Sequence, residues 1–344
     1  MGSNQVLRWE EEPSFYGANK ISRSPKGRYI GLEYFVTGGN QNSLAVVLDR
    51  HTGHRNAAIG SAAGSPTDMG VLLVVETSFG ASNDQATSHI KKIGMSIPLL
   101  TIPGVFRGYS SGNGKVFLVG GATNTSETQV IELEAETGNA TRKSILPFPA
   151  AAMLWRGIIS QDSLYLLIDT TKLPYLTSQV GFVIVCFDVE TMAIKWQHDH
   201  VRIPILMGLP DVGLTDFGKT VFILGDKSDV FLRFSASSGE RLTDLTIPWT
   251  FDIREIFVAD ERLSSALVLE RRFIRRGVVH DWKVLQISNE DVVQVLEQQG
   301  KLPPNAGLMD NGILRVSSFH GMRTTEASSW ELEIRMLFDT IKKH

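Results

Sequence analysis

Cysteine occurs once, at Cys186, in a chain of 344 residues. That single thiol excludes an intrachain disulfide framework and any zinc module built on several thiolates, and it fits a reducing compartment. Long apolar runs are missing too. Even Phe182 to Phe187 stays far short of the roughly 20 residues that span a bilayer. The first residues, Met1 to Ser14, are polar and acidic and lack the apolar stretch of a secretory leader. Met1-Gly2-Ser3-Asn4-Gln5-Val6 carries Val where a myristoylation signal wants Ser or Thr. A cytoplasmic location is therefore the expectation. Strong charge of either sign is also lacking. A net charge of -3 gives the surface no reason to seek phosphate backbones or anionic lipid, so neither nucleic acid nor membrane is an expected partner. No Rossmann fingerprint, P-loop, HExxH or EF-hand loop occurs, and no cofactor or metal is expected.

What is present is 42% hydrophobic residues and 31 glycines, arranged as short runs of Val, Ile, Leu, Phe and Tyr between polar turns. This is the pattern of many short strands. The turns recur. A tight polar turn precedes an apolar strand at Pro25-Lys26-Gly27, Asp68-Met69-Gly70, Gly112-Asn113-Gly114, Gln161-Asp162-Ser163, Asp216-Phe217-Gly218, Asp260-Glu261-Arg262 and Asp310-Asn311-Gly312, with centres 43 to 55 residues apart. A second landmark, a strand ending in a Thr-Gly-like hairpin, appears at Leu48 to Gly53, Leu133 to Gly138, Phe187 to Met192 and Phe234 to Gly239, with a weaker copy at Leu285 to Glu290. Such turns need a residue of positive φ. Thr52 and Thr137 lie 85 residues apart, two periods, because the second unit lacks this landmark.

Units of this size cannot bury both faces of four short strands alone, and stacking them radially solves that. The chain resembles a seven-bladed β-propeller: an all-β fold of four-stranded antiparallel blades in one domain. The blades are expected at about 15–60, 61–102, 103–147, 150–203, 208–248, 250–300 and 304–338. The last unit supplies Ile313 to Phe319 and Trp330 to Leu337 and lacks a fourth strand, so residues 5–10, which alternate apolar and polar, are expected to pair there and close the ring. Lys115 to Gly121 with Glu134 to Gly138 is similar to a kelch repeat, although the Trp after the turn is absent. Phe187 to Trp196 resembles a quinoprotein-type repeat, but the paired cysteines of the pyrroloquinoline quinone dehydrogenases cannot come from one cysteine. WD40 dipeptides are missing, and the resemblance is to the superfamily rather than to a subfamily.

Several strings suggest chemistry. Gly108-Tyr109-Ser110-Ser111-Gly112 matches G-x-S-x-G, yet it leads into a turn and a strand instead of the helix that a nucleophile elbow requires. His198 and His200 would share one side of a strand, but no third ligand is evident. His51 and His54 flank a hairpin turn and read as solvated surface. Arg271 to Arg276, with four arginines, reads as a hairpin tip, solvated or able to grip an acidic group.

Repetition itself points to a site, because equivalent positions of a propeller face its axis alike. Six residues upstream of the turn centres stand Lys20, Ala63, Arg107, Arg156, Asp211, Glu255 and Asn305, all polar but one, on strands otherwise rich in residues such as Val105, Tyr109, Ile158 and Leu214. These are expected to line a central channel, either as neighbouring ion pairs around water or as a functional site. Close in sequence are Tyr16, Phe106, Trp155, Trp249 and Phe251, on segments that enter the inner strands. An aromatic funnel with a few fixed charges suits a small organic ligand. One reading is an enzyme without metal or cofactor, of cyclase, isomerase or lyase type. In it Arg107 and Arg156 orient or polarise the substrate, Asp211 or Glu255 exchanges a proton, and Lys20, Asn305 and the aromatics bind it. The alternative is a non-catalytic scaffold that meets a protein partner at its rim, since a fold does not determine a function.

Overall fold

The structure, a computed structural model, describes residues 20–35, 43–80, 86–122, 127–148, 156–160, 162–169, 179–204, 210–225, 229–246, 253–259, 261–273, 280–289, 291–301, 304–310 and 313–318. They form strands and turns. Blade 1 comprises β1 Lys20–Arg23, β2 Tyr29–Phe35, β3 Ser43–Asp49 and β4 Arg55–Ile59. Blade 2 comprises β5 Ser61–Ala62, β6 Leu73–Ser78, β7 Thr87–Lys92 and β8 Leu100–Pro103, and blade 3 β9 Val105–Tyr109, β10 Lys115–Gly121, β11 Thr128–Glu134 and β12 Ala140–Leu146. Blade 4 comprises β13 Arg156–Ile159, β14 Ser163–Asp169, β15 Gln179–Asp188 and β16 Ala193–Pro204. Blade 5 comprises β17 Asp211–Thr215, β18 Thr220–Leu224, β19 Val230–Ser235 and β20 Leu245–Thr246, and blade 6 β21 Ile253–Val258, β22 Ala266–Phe273, β23 His280–Ile287 and β24 Val292–Lys301. β25 Pro304–Asp310 and β26 Ile313–Ser318 form a separate pair.

Every sheet pairs consecutive strands, so each blade is an antiparallel meander joined by hairpins. The first strands of successive blades are neighbours. β9 packs beside β13, β13 beside β17, β17 beside β21, and β25 touches both β21 and β1. Sheets that meet along their first strands in this order are the blades of a β-propeller. The expectation of seven four-stranded blades needs correction: six have four strands, and the described part of the last unit is a two-stranded sheet. The proposed closing strand at 5–10 and the segment Trp330 to Leu337 lie outside the described residues.

The core consists of the spaces between blades. In blade 4, Leu164, Leu166 and Ile168 pack against Phe117 and Val119 of blade 3, while Tyr165 and Leu167 pack against Val212, Leu214 and Phe234 of blade 5. Alternate residues of one strand thus serve opposite neighbours, which is why the central strands read as unbroken apolar runs. The hairpin landmark takes its expected geometry. Gly53, Gly138 and Gly239 have φ between +71° and +74° and donate to the carbonyls of Asp49, Glu134 and Ser235, while Met192 occupies the same place at φ +56°. Among the described residues no helix is long and apolar enough to cross a membrane.

Blades 2 and 3 meet closely at Gly108, where a Cβ would lie 2.3 Å from the Cβ of fully buried Ala63. Gly108→Ala is expected to lower stability by about 1–3 kcal/mol, the usual cost of overpacking. Urea unfolding measures this, and an unchanged midpoint would show that the two blades are not so close.

Candidate functional site

Lys20 lies opposite Glu33, Arg107 opposite Val119, Arg156 opposite Leu167, Asp211 opposite Leu224 and Glu255 opposite Leu269. In the first four pairs, the facing residue is fifth along the second strand, counted from the residue paired with Asp49, Glu134, Asp188 or Ser235. Blade 6 keeps the count if it starts one residue before Ala266, which faces Ile287. Five of the expected residues therefore share one register position and one orientation toward the axis. Lys20 and Arg156 are exposed, and Arg107, Asp211 and Glu255 are half-buried.

Their electrostatics link blades that do not adjoin. Burial pushes the Asp211 carboxyl above its ordinary range, against the pull of Arg156, of the Val212 and Ile256 amides, and of Lys20. Lys20 is on blade 1 and Asp211 on blade 5. A Coulombic influence between them requires both side chains to approach a common centre. Burial likewise raises Glu255. Arg271 opposes that shift by charge and hydrogen bond, Asp211 reinforces it, and Arg156 opposes it. Tyr109 is raised by burial and lowered by Arg107 and Arg156 together. Its ring also covers Gly157 of the next blade, where a Cβ would meet Tyr109 Cε1 at 2.9 Å. The hub is thus an arc of cations and carboxyls with one phenol set into its wall.

Two positions depart from the expected ring. Ala63 pairs by its amide with Leu73 at the start of β6, and β5 is too short to supply a fifth-row residue, so Ala63 packs in the core. Asn305 sits in β25 at an irregularity between Pro304 and Ala306, and only its backbone is described. Phe106 is a further correction. It is 3% exposed and fills the interface of blades 2 and 3, so it is not an exposed wall of the channel. Tyr16, Trp155, Trp249 and Phe251 lie outside the described residues.

The sequence reading missed Arg271. The expected hairpin tip begins later, because Arg271 and Arg272 belong to β22, and Arg271 forms an ion pair with Glu255. The period of two through Leu267, Leu269 and Arg271 was the available signal. Arg275 and Arg276 lie outside the described residues. The remaining strings are structural. Ser110 Oγ donates to the Lys115 carbonyl at 2.8 Å and accepts from the Gly112 amide at 3.0 Å, which commits it to the turn. His198 bonds the Gly239 carbonyl and packs on Phe234 between blades 4 and 5. No group of three metal-ligating side chains occurs among the described residues. A cavity of about 500 Å³ lined by Tyr29, Asp49, Thr52, His54, Asn56 and Met69 lies on the hairpin-turn side of blades 1 and 2, away from the fifth row. There Arg28 holds the Asp49 carboxyl down to about 2 through a direct hydrogen bond.

Asp211 and Glu255 bind their protons more tightly in the folded than in the unfolded chain. The stability they contribute is complete below the unfolded value, near 3.8 for Asp211, and is lost as pH rises through the folded value. Asp211→Asn removes its share of that loss. The thermal midpoint at pH 7, relative to that at pH 5, is expected to be higher in the variant than in the parent. An identical difference in both proteins would remove Asp211 from the buried hub.

No protein-family model matches the sequence, and no curated protein matches it as a relative. Solved structures do match in shape. The chain is similar to Kuenenia stuttgartiensis hydrazine synthase, with a TM-score of 0.56, 12% identity, and coverage of 97% of this chain and 100% of that one. It is similar to the β-propeller domain of Myceliophteria thermophila Cps50 (Swd1), with a TM-score of 0.52, 11% identity, and coverage of 96% and 99%. A prolyl endopeptidase matches with a TM-score of 0.50, 10% identity and 88% of this chain, which spans 46% of that larger one. At such identities the likeness is one of fold, and the fold is a β-propeller.

Proposed function

We propose that the hub binds a small organic molecule and exchanges a proton with it, in a reaction of cyclase, isomerase or lyase type carried by side chains. Arg156 and Arg107 orient the substrate or polarise its carbonyl, and Asp211 exchanges the proton. Glu255, already paired with Arg271, fixes the charge pattern around them. Lys20 and Asn305, with walls from Tyr16, Trp155, Trp249 and Phe251, complete the proposed pocket. The ring closes at the two-stranded sheet through the segment at 5–10, making a seventh blade. The observation that carries this reading is the joint action of Arg156 and Lys20 on one enclosed carboxyl, Asp211, from separate blades. Titratable groups shifted by burial and a specific charge partner cluster at functional sites.

A scaffold role has one observation in its favour. Met69, Met95 and Ile97 are 73%, 48% and 74% exposed on the turns of blade 2, and contiguous exposed apolar surface marks partner sites.

Thermal unfolding across a metabolite library separates these readings. A ligand at a hundred times its Kd adds about 2.7 kcal/mol to the stability of the parent protein. Arg107→Ala and Arg156→Ala, if folded, are expected to abolish that stabilisation. Hits that persist unchanged in both variants would remove the hub from the function.

A further inference from the structure

The ligand class follows from the charge balance of the hub, and this step rests on the small-molecule reading above. Among the described residues, four cations, Lys20, Arg107, Arg156 and Arg271, meet three carboxyls, Glu33, Asp211 and Glu255. The balance is positive even with every carboxyl ionised, in a chain whose net charge is -3.

The carboxyls are also committed elsewhere. Glu255 is held by Arg271, Glu33 Oε2 accepts the Ala62 amide at 3.2 Å, and Asp211 accepts the amides of Val212 and Ile256. Lys20 and Arg156 are exposed, and no hydrogen bond or ion pair joins either to a described residue. Both act on Asp211 only at the longer range of charge. Two exposed cations without a counter-ion in contact, aimed at one enclosed centre, form a receptor for negative charge. A guanidinium grips an oxyanion through two parallel N–H donors and an ammonium adds a point charge, both stronger where water is scarce.

We infer that the hub takes a small organic anion, a carboxylate or a phosphate monoester, whose charged group lies between Lys20 and Arg156. Asp211 then stands beside the anionic group, where its proton can be shared with the ligand instead of with water.

Calorimetric titration of the full-length protein tests this with succinate and glycerol 3-phosphate, set against their neutral counterparts succinamide and glycerol. At least one anion is expected to bind, with an affinity that falls as salt is added. Lys20→Gln and Arg156→Gln are each expected to weaken it by about tenfold, the loss of one charge-assisted contact, with an unchanged thermal midpoint. A response to one anion alone identifies its charged group as carboxylate or phosphate and supports the inference. Equal binding of the neutral counterparts, or anion binding indifferent to both substitutions, overturns it. Silence toward both anions, alongside hub-dependent hits in the metabolite library, overturns the ligand class and leaves the small-molecule reading standing. Silence in both experiments overturns the two together.

Discussion

A four-stranded sheet that is apolar on both faces has to be covered twice, and that requirement organises this molecule. Leu164 and Leu166 need blade 3 as much as Tyr165 and Leu167 need blade 5. Each fully buried side chain of this kind contributes about 1.5–3 kcal/mol, so neither face can be left to water. Sheets that all carry the same demand can satisfy one another by standing around an axis, each covering the next. The innermost strand of every blade then has one edge without a strand partner, and those edges meet at the centre. A propeller acquires its hub as a consequence of packing.

Residues at the hub inherit their chemistry from that geometry. Consecutive positions on β21 show it. Glu255 faces the channel and pairs with Arg271, while Arg254, next to it, points into the wall, lies over the Phe231 ring at 5.4 Å, and shares Glu270 with Lys283. Arg254 and Glu270 are almost wholly buried, so their charges are satisfied only when blades 5 and 6 keep one register. The inner row is less fully matched. There the wall excludes enough water to raise Asp211, yet Lys20 and Arg156 stay exposed, which leaves room and charge for something else to enter.

The sequence disclosed the blade through its turns. The glycines at 53, 138 and 239 stand where a positive φ is required, and the tight turns fixed the start of each second strand, so counting back from them found Lys20, Arg107, Arg156, Asp211 and Glu255. The same count failed at Ala63 because blade 2 has a longer turn and only two residues in its first strand, and spacing cannot reveal a shifted register. Phe106 was misplaced for a related reason. It neighbours Arg107 in sequence, and in a strand neighbours face opposite sides. Arg271 went unseen because a run of arginines reads as solvent-facing loop until its alternation with Leu269 and Leu267 is taken seriously. The six four-stranded sheets against the seven expected show the limit of period counting, which locates units without showing how many strands each contains.

The central claim is that Lys20 and Asp211, on blades 1 and 5, share one small space. A double-mutant cycle of Lys20→Gln and Asp211→Asn, read by urea unfolding at low ionic strength and neutral pH, measures their coupling directly. The account requires a coupling above about 0.5 kcal/mol that shrinks as salt is added, because sites further apart than about 10 Å with no shared partner normally add within that figure. Strict additivity at low salt would mean that the two side chains do not meet and that the hub described above does not exist.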